Sequence, residues 1–232
     1  TFVNSSWYEL RYCDPKNNKS IFDKKRVEYW TPVDIYIGGK EHACMHLIYF
    51  RFYTKFLRDL GLLKLDEPVV RLFNQGYIYG EDGRKMSKSF GNVIDPLDTA
   101  KKYNIDTLRL YVVSVASPDS NFNWNDTAIM GSYKFLNKVI DYFNNVHIGK
   151  SDAKTESKLN KIIKLVTEQI EKLDYNLVVI NIRSLFESLP KETSKDVLEK
   201  SLKLLHPFCP HICEELWEKL GNKGFISLEK WP

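Results

Sequence analysis

"VDIYIGG", residues 33–39, is a short apolar, β-branched run that ends on two glycines. It reads as a buried strand. "EHACMHLIYFRFYTKFLRDLG" (41–61) follows, with an acidic start, apolar residues on most faces and Gly61 at its end. It reads as a largely buried helix closed by a C-terminal glycine. A strand, a glycine turn and a helix predict an open α/β sheet. Such sheets bind nucleotides in the crevice outside the carboxyl ends of their strands. Gly38 and Gly39 would let a ligand approach the backbone closely.

Outward from this unit the chain divides at about residue 126. On the α/β side, Pro68 after Asp66-Glu67 suits the first turn of a further short helix. "GYIYG" (76–80) reads as a strand, and "DPLDTAKKYNIDTLRLYVVSVASP" (95–118) as one or two helices stopped at Pro118. Beyond the division, "DTAIMGSYKFLNKVIDYFNNV" (126–146) opens on an Asp cap with apolar residues at helical spacing. The stretches 156–175, 176–189 and 194–221 are amphipathic, the last broken near Pro207 and Pro210. Helices joined by short connections predict a bundle. The expected organisation is an α/β domain over 1–125 and a helical bundle over 126–232.

Composition narrows the functions available. A 232-residue chain has room for two domains. No stretch approaches the roughly 20 apolar residues of a membrane span. The N-terminus has no signal-peptide pattern, lacks Met and starts in mid-domain. It is expected to be a fragment, a processed chain or one half of a split protein. The net charge of +4 is mild and spread, so charge alone does not make a nucleic-acid binder. Cys13, Cys44, Cys209 and Cys213 give no disulfide framework, which suits a reducing, cytoplasmic setting.

"EDGRKMSKSFGN" (81–92) has no apolar period, so nothing in it asks to be buried. It sets Arg84, Lys85 and Lys88 among Ser87 and Ser89, between Gly83 and Gly91. A basic loop is ordinarily a solvated turn. Beside a nucleotide crevice it acquires a use, because lysine ammonium groups stabilise phosphoryl oxygens as charge develops on them.

The string "KMSKS", Lys85-Met86-Ser87-Lys88-Ser89 followed by "xGN", resembles the second signature of class I aminoacyl-tRNA synthetases. "GGKEHACMHLIYFRF" (38–52), "TFVNSSWYELRY" (1–12), "RLFNQGYIY" (71–79) and "HPFCPHICEELWEKLG" (206–221) are similar to the leucyl-tRNA synthetase family, so the resemblance covers essentially the whole chain. It implies the C-terminal half of a Rossmann-like catalytic domain followed by an anticodon-binding-type bundle. It also implies ATP-dependent activation of leucine to leucyl-adenylate and transfer to tRNA(Leu), with Mg²⁺ accompanying ATP.

On that resemblance Lys85 and Lys88 are catalytic. Gly38, Gly39, Glu41, His42, Gln75, Gly76, Met86, Ser87 and Ser89 contact ATP or the adenylate. Phe2, Ser5, Tyr8 and His46 line the leucine pocket. The family's HIGH signature and editing insertion would belong to a partner half. "VHIGK" (146–150) follows the lysine loop and ends a bundle helix, so it is not that signature. The alternative is a non-catalytic tRNA-binding or assembly subunit; a nucleotidyltransferase of similar fold is disfavoured by the leucyl-like stretches.

Two clusters invite a metal reading. His42 and His46 lie one helical turn apart but lack a third ligand and HExxH order. His206, Cys209, His211 and Cys213 are spaced too tightly and interrupted by prolines, so packing is expected there and no structural zinc. Trp124 is expected to pack at the boundary between the domains. Asn92 is expected either to meet the nucleotide or to close the loop.

Overall fold

The computed structural model describes residues 2–232. The chain separates into two compact units, residues 1–77 and 78–232.

The first unit begins with two short helices, α1 (Phe2–Ser5) and α2 (Tyr8–Cys13), then α3 (Lys24–Trp30). Asp23 starts α3 by accepting a hydrogen bond from the Arg26 amide, satisfying one of the free donors of the first turn. Strand β1 (Val33–Gly39) pairs in parallel with β2 (Val69–Gln75), in a register that sets Ile35 against Arg71 and Gly39 against Gln75. Pro68 therefore leads into a strand, not the expected short helix, and its carbonyl accepts from Val33 N at 2.9 Å. The β-branched pair Val69-Val70 outweighs the acidic residues before it.

The predicted helix over 41–61 is split. Lys40–Cys44 forms a 3₁₀ turn, the backbone breaks at Met45, and α4 runs from His46 to Asp59. A bidentate Arg51–Glu67 pair at 2.6 and 2.7 Å, joined by Lys55, ties α4 to the turn before β2. Hydrogen bonds from Arg51 hold the Glu67 carboxyl down at about 2.

The core of this unit is small: Leu10, Phe22, Val27, Leu57 and Leu63. The sheet is only partly covered, with Ile37 52% and Val70 71% exposed. The expectation of a buried strand is therefore met in part.

The second unit opens with β3 (Ile78–Tyr79), which pairs with β4 (Phe122–Asn123). Between them lie the lysine loop, α5 (Pro96–Tyr103) and α6 (Ile105–Ser114). Asp95 caps α5 and Pro96 occupies its first turn. The bundle comprises α7 (Asp126–Asn145), α8 (Ala153–Lys172), α9 (Tyr175–Ser188), α10 (Lys195–Leu205) and α11 (Pro210–Lys219). Asn125, not the expected Asp126, caps α7 because its side chain accepts from the Thr127 and Ala128 amides; Asp152 and Ser194 cap α8 and α10. One continuous core runs from Leu110 in α6 through all five helices to Ile226.

Helix α11 has no cap of its own, because Cys209 at that position makes no side-chain bond. Asp106 of α6 supplies one. It is 1% exposed and accepts from Ile212 N at 2.7 Å, while its other oxygen pairs with His211 Nδ1 at 2.9 Å. Arg109 adds bonds to the carbonyls of Pro207 and Phe208. Helix α6 is thus bound to the α10–α11 corner.

Candidate active-site residues

In the first unit, parallel register brings Gly38 and Gly39 beside Asn74 and Gln75 at the carboxyl ends of adjacent strands. Glu41 folds back over this end and accepts from the Tyr77 hydroxyl. A Cβ on Gly39 would meet the Glu41 carboxylate, which could keep its place only beside a glycine. The His42 ring lies beside Gly38, and its Nδ1 is buried without a partner. Gly38, Gly39, Glu41, His42, Gln75 and Gly76 are therefore grouped at one strand end.

A second group surrounds Phe50, which is fully buried. The Tyr8 and Tyr36 hydroxyls are 2.8 Å apart, and Tyr36 Oη is 2.7 Å from His46 Nε2. The Tyr36 and His46 rings stack on Phe50 at 5.2 and 5.1 Å. Burial, helped by neighbouring His42, lowers the His46 pKa and favours the neutral imidazole. Burial also raises the Tyr36 pKa. The result is an uncharged aromatic wall, suited to an apolar ligand. Phe2 stacks on Tyr49 at 4.8 Å, one turn along α4 from His46, and Ser5 bonds the Phe2 carbonyl.

Sequence reasoning missed Tyr36, the link between Tyr8 and His46. A usable signal was present: strand alternation puts Tyr36 on the same face as Gly38. It also missed Glu9, whose two carboxylate oxygens are buried and unpartnered. Burial pushes its pKa up to about 7.

In the second unit the lysine loop is bonded to itself. Gly80 N bonds Arg84 O, and Tyr79 bridges to Lys85. Asn92 Oδ1 accepts from Ser87 N at 2.9 Å, and its amide nitrogen donates to Asp82 at 3.2 and 3.3 Å. The Ser87 and Ser89 hydroxyls are 2.7 Å apart, and Arg84 lies over the Phe90 ring. Met86 is half-buried against a cluster of Tyr103, Tyr111, Trp124 and Ile129. The expectation that nothing in the loop seeks burial is thus corrected at Met86, while Lys85 and Lys88 are exposed. Of the two roles open to Asn92, the contacts support loop closure. Trp124 is 5% exposed, with its ring 5.0 Å from Tyr111.

Cys209 and Cys213 are fully buried in the bundle core, and burial pushes both thiols up. His206 faces Glu214 at 3.6 Å and His211 faces Asp106, so the four sequence neighbours do not converge. Among the described residues no helix is long and apolar enough to cross a membrane.

Comparison with known proteins bears on both groups. Residues 14–125 match the family described as tRNA synthetases class I (I, L, M and V), and residues 152–232 match the anticodon-binding domain of tRNA ligase. The leucine–tRNA ligase of Fervidobacterium nodosum is 42% identical, and that of Lawsonia intracellularis 43%, each over 100% of this chain. The chain belongs to the leucyl-tRNA synthetase family.

As a leucyl-tRNA synthetase family member, the chain spans 31% of the length of those two relatives. The ternary complex of Agrobacterium radiobacter K84 agnB2 LeuRS-tRNA-LeuAMS superposes with a TM-score of 0.90 at 35% identity, over 100% of this chain and 33% of that one. The Mycobacterium tuberculosis methionyl-tRNA synthetase, with a TM-score of 0.68 at 16% identity over 96% of this chain and 50% of its own, shares the fold.

Proposed function

We propose that the chain takes part in ATP-dependent formation of leucyl-adenylate and transfer of leucine to tRNA(Leu), as a class I leucine–tRNA ligase. Similarity to leucine–tRNA ligases along its entire length carries this reading. The domain division it uses is 1–125 for the catalytic part and 126–232 for the bundle that meets tRNA. ATP enters with Mg²⁺, and no structural zinc is required.

Each residue group has a part in the reaction. Gly38, Gly39, Glu41, His42, Gln75 and Gly76 hold the adenosine. Phe2, Ser5, Tyr8 and His46 receive the leucyl side chain, with Tyr36 fixing Tyr8 and His46. The leucine carboxylate attacks the α-phosphorus, and pyrophosphate leaves. Lys85 and Lys88 stabilise the charge on the leaving oxygens, while Met86, Ser87 and Ser89 shape their approach. No enzyme nucleophile is needed, because the energy comes from positioning and charge stabilisation.

A partner segment carrying the HIGH signature completes the reaction. The exposed apolar residues of the β1–β2 pair support this, because parallel sheets are covered on both faces.

The test is leucine-dependent pyrophosphate exchange by the chain, by a HIGH-bearing segment, and by their mixture. Exchange is expected from the mixture alone. Lys88→Ala should slow it by about 10²–10³-fold in kcat, the effect of removing one charge-stabilising donor. Exchange by the chain alone would remove the need for a partner. A stable complex without exchange would refute the assigned activity.

A further inference from the structure

We propose that Asn92 is a positioning residue. Its side-chain amide, clasped to Asp82, sets the backbone that carries Lys85 and Lys88. The catalytic meaning of this inference rests on the function proposed above; the clasp itself does not.

The geometry points to Asn92 because one side chain bonds the loop on both sides of Met86. Its Oδ1 accepts from Ser87 N at 2.9 Å, and its Nδ2 reaches the Lys85 carbonyl at 3.4 Å. The same Nδ2 donates to both oxygens of Asp82. Asp82 in turn accepts from Arg84 N at 3.0 Å and Arg84 Nε at 2.8 Å. These bonds to Arg84 and Asn92 hold the Asp82 carboxyl below its ordinary pKa. A Cβ on Gly80 would meet Asp82 Oδ1 at 2.8 Å and the Asn92 amide nitrogen at 3.0 Å, so glycine makes room for the clasp. Met86, between the two bonded peptide units, packs on Tyr103, Tyr111, Trp124 and Ile129.

A solvated basic turn needs none of this. The clasp fixes the peptide groups that flank Met86, and with them the bases of both lysine side chains. Only an amide can do it in this orientation, because the site asks for one acceptor and one donor on a single planar group. Aspartate keeps the acceptor but sets a carboxylate against Asp82. Exchanging the two residues, Asp82→Asn with Asn92→Asp, puts a donor back opposite an acceptor between positions 82 and 92 and gives up one bond from Arg84.

The test uses amide hydrogen exchange across residues 80–92 of the intact 232-residue chain. In Asn92→Asp the carboxylate is repelled by Asp82, the side chain leaves the Ser87 amide, and exchange there should speed by about tenfold, the scale of one hydrogen bond lost beside a charge. The double variant should recover part of that protection, since it restores the pairing of positions 82 and 92 but not the bond to the Lys85 carbonyl. Unchanged protection in Asn92→Asp, or a double variant as fast as the single one, overturns the clasp.

The functional arm is pyrophosphate exchange by the mixture with a HIGH-bearing segment. Asn92→Asp should lower kcat, leave KM for leucine within about twofold, and be rescued by the exchanged pair. An active wild-type mixture with an equally active Asn92→Asp overturns the positioning role. An inactive wild-type mixture defeats the proposed function, and the hydrogen-exchange arm still decides the clasp.

Discussion

The two units solve the burial problem differently. In residues 78–232 the bundle helices share one large core, in which Leu198, Leu202, Leu204 and Leu205 are 0% exposed. In residues 1–77 one buried cluster holds five residues, with Leu47 and Phe50 buried outside it, while Ile35, Ile37, Val70 and Leu72 on the sheet are at least 41% exposed. Short helices bury a stripe by packing on each other. A parallel strand pair has two faces and two edges to cover. The bundle is therefore complete in itself, while the first unit presents surface suited to further sheet and helix. The difference teaches that the large core lies in a different unit from the residues assigned to the adenosine and the leucyl side chain.

The largest expected effect tests that asymmetry. Leu198→Ala empties fully buried space in α10 and should destabilise the chain by about 2–5 kcal/mol. Val70→Ser, at a site 71% exposed, should change stability by less than about 0.5 kcal/mol. Urea unfolding of both variants supplies the comparison. A Val70→Ser loss as large as that of Leu198→Ala would mean that the β2 face is covered in solution, for example by self-association.

The next effect belongs to the first unit. Glu9 holds its proton to about pH 7 because burial penalises the carboxylate by more than its own backbone amide offsets. Below its ordinary value near 4.5 both folded and unfolded chains carry the proton, and its contribution to stability is complete. Between there and pH 7 the unfolded chain releases the proton while the folded one keeps it. Stability must then fall as pH rises. Glu9→Gln has nothing to titrate. It should be more stable than wild type by about 1–3 kcal/mol at pH 8 and about equal at pH 4.5. Equal urea midpoints for the two proteins at both pH values would show that Glu9 is solvated.

Legibility in the sequence follows the range of the interactions. The bundle helices could be read because their caps and 3.6-residue periods are local: Asp152 bonds Thr155, and Ser194 bonds Val197. Strand β1 could be read from its glycine ending. The strand after Pro68 could not, since Asp-Glu-Pro imitates a helix start and its pairing with β1 lies over thirty residues away. The KMSKS string marked the loop and left Asn92 open to closing it, but nothing local marks Asp82 as its partner. Asp106 as the cap of α11 depends on a contact across 106 residues. Tyr36 was hidden in the same way, its partners standing 28 and 10 residues off.

The smallest expected effect returns to that residue and to the thinly built unit. Tyr36→Phe keeps the ring on Phe50 and removes the hydroxyl between Tyr8 and His46. Each partner keeps its apolar packing but loses the bond that fixes its rotation. One such bond contributes about 0.5–1.5 kcal/mol, so KM for leucine should rise about two- to tenfold. The chemistry at phosphorus uses other residues, so kcat should change little. Bundle stability should not move, because Tyr36 belongs to the other unit. The measurement is leucine KM and kcat in pyrophosphate exchange by the mixture, with an unfolding curve beside it. A fall in kcat at unchanged KM would place Tyr36 with the phosphate chemistry and break its assignment to the leucine wall. An unfolding midpoint lowered as far as that of Leu198→Ala would make the Tyr8–Tyr36–His46 chain a structural strut, and the contrast between the two units would then fail at the site where it matters most for function.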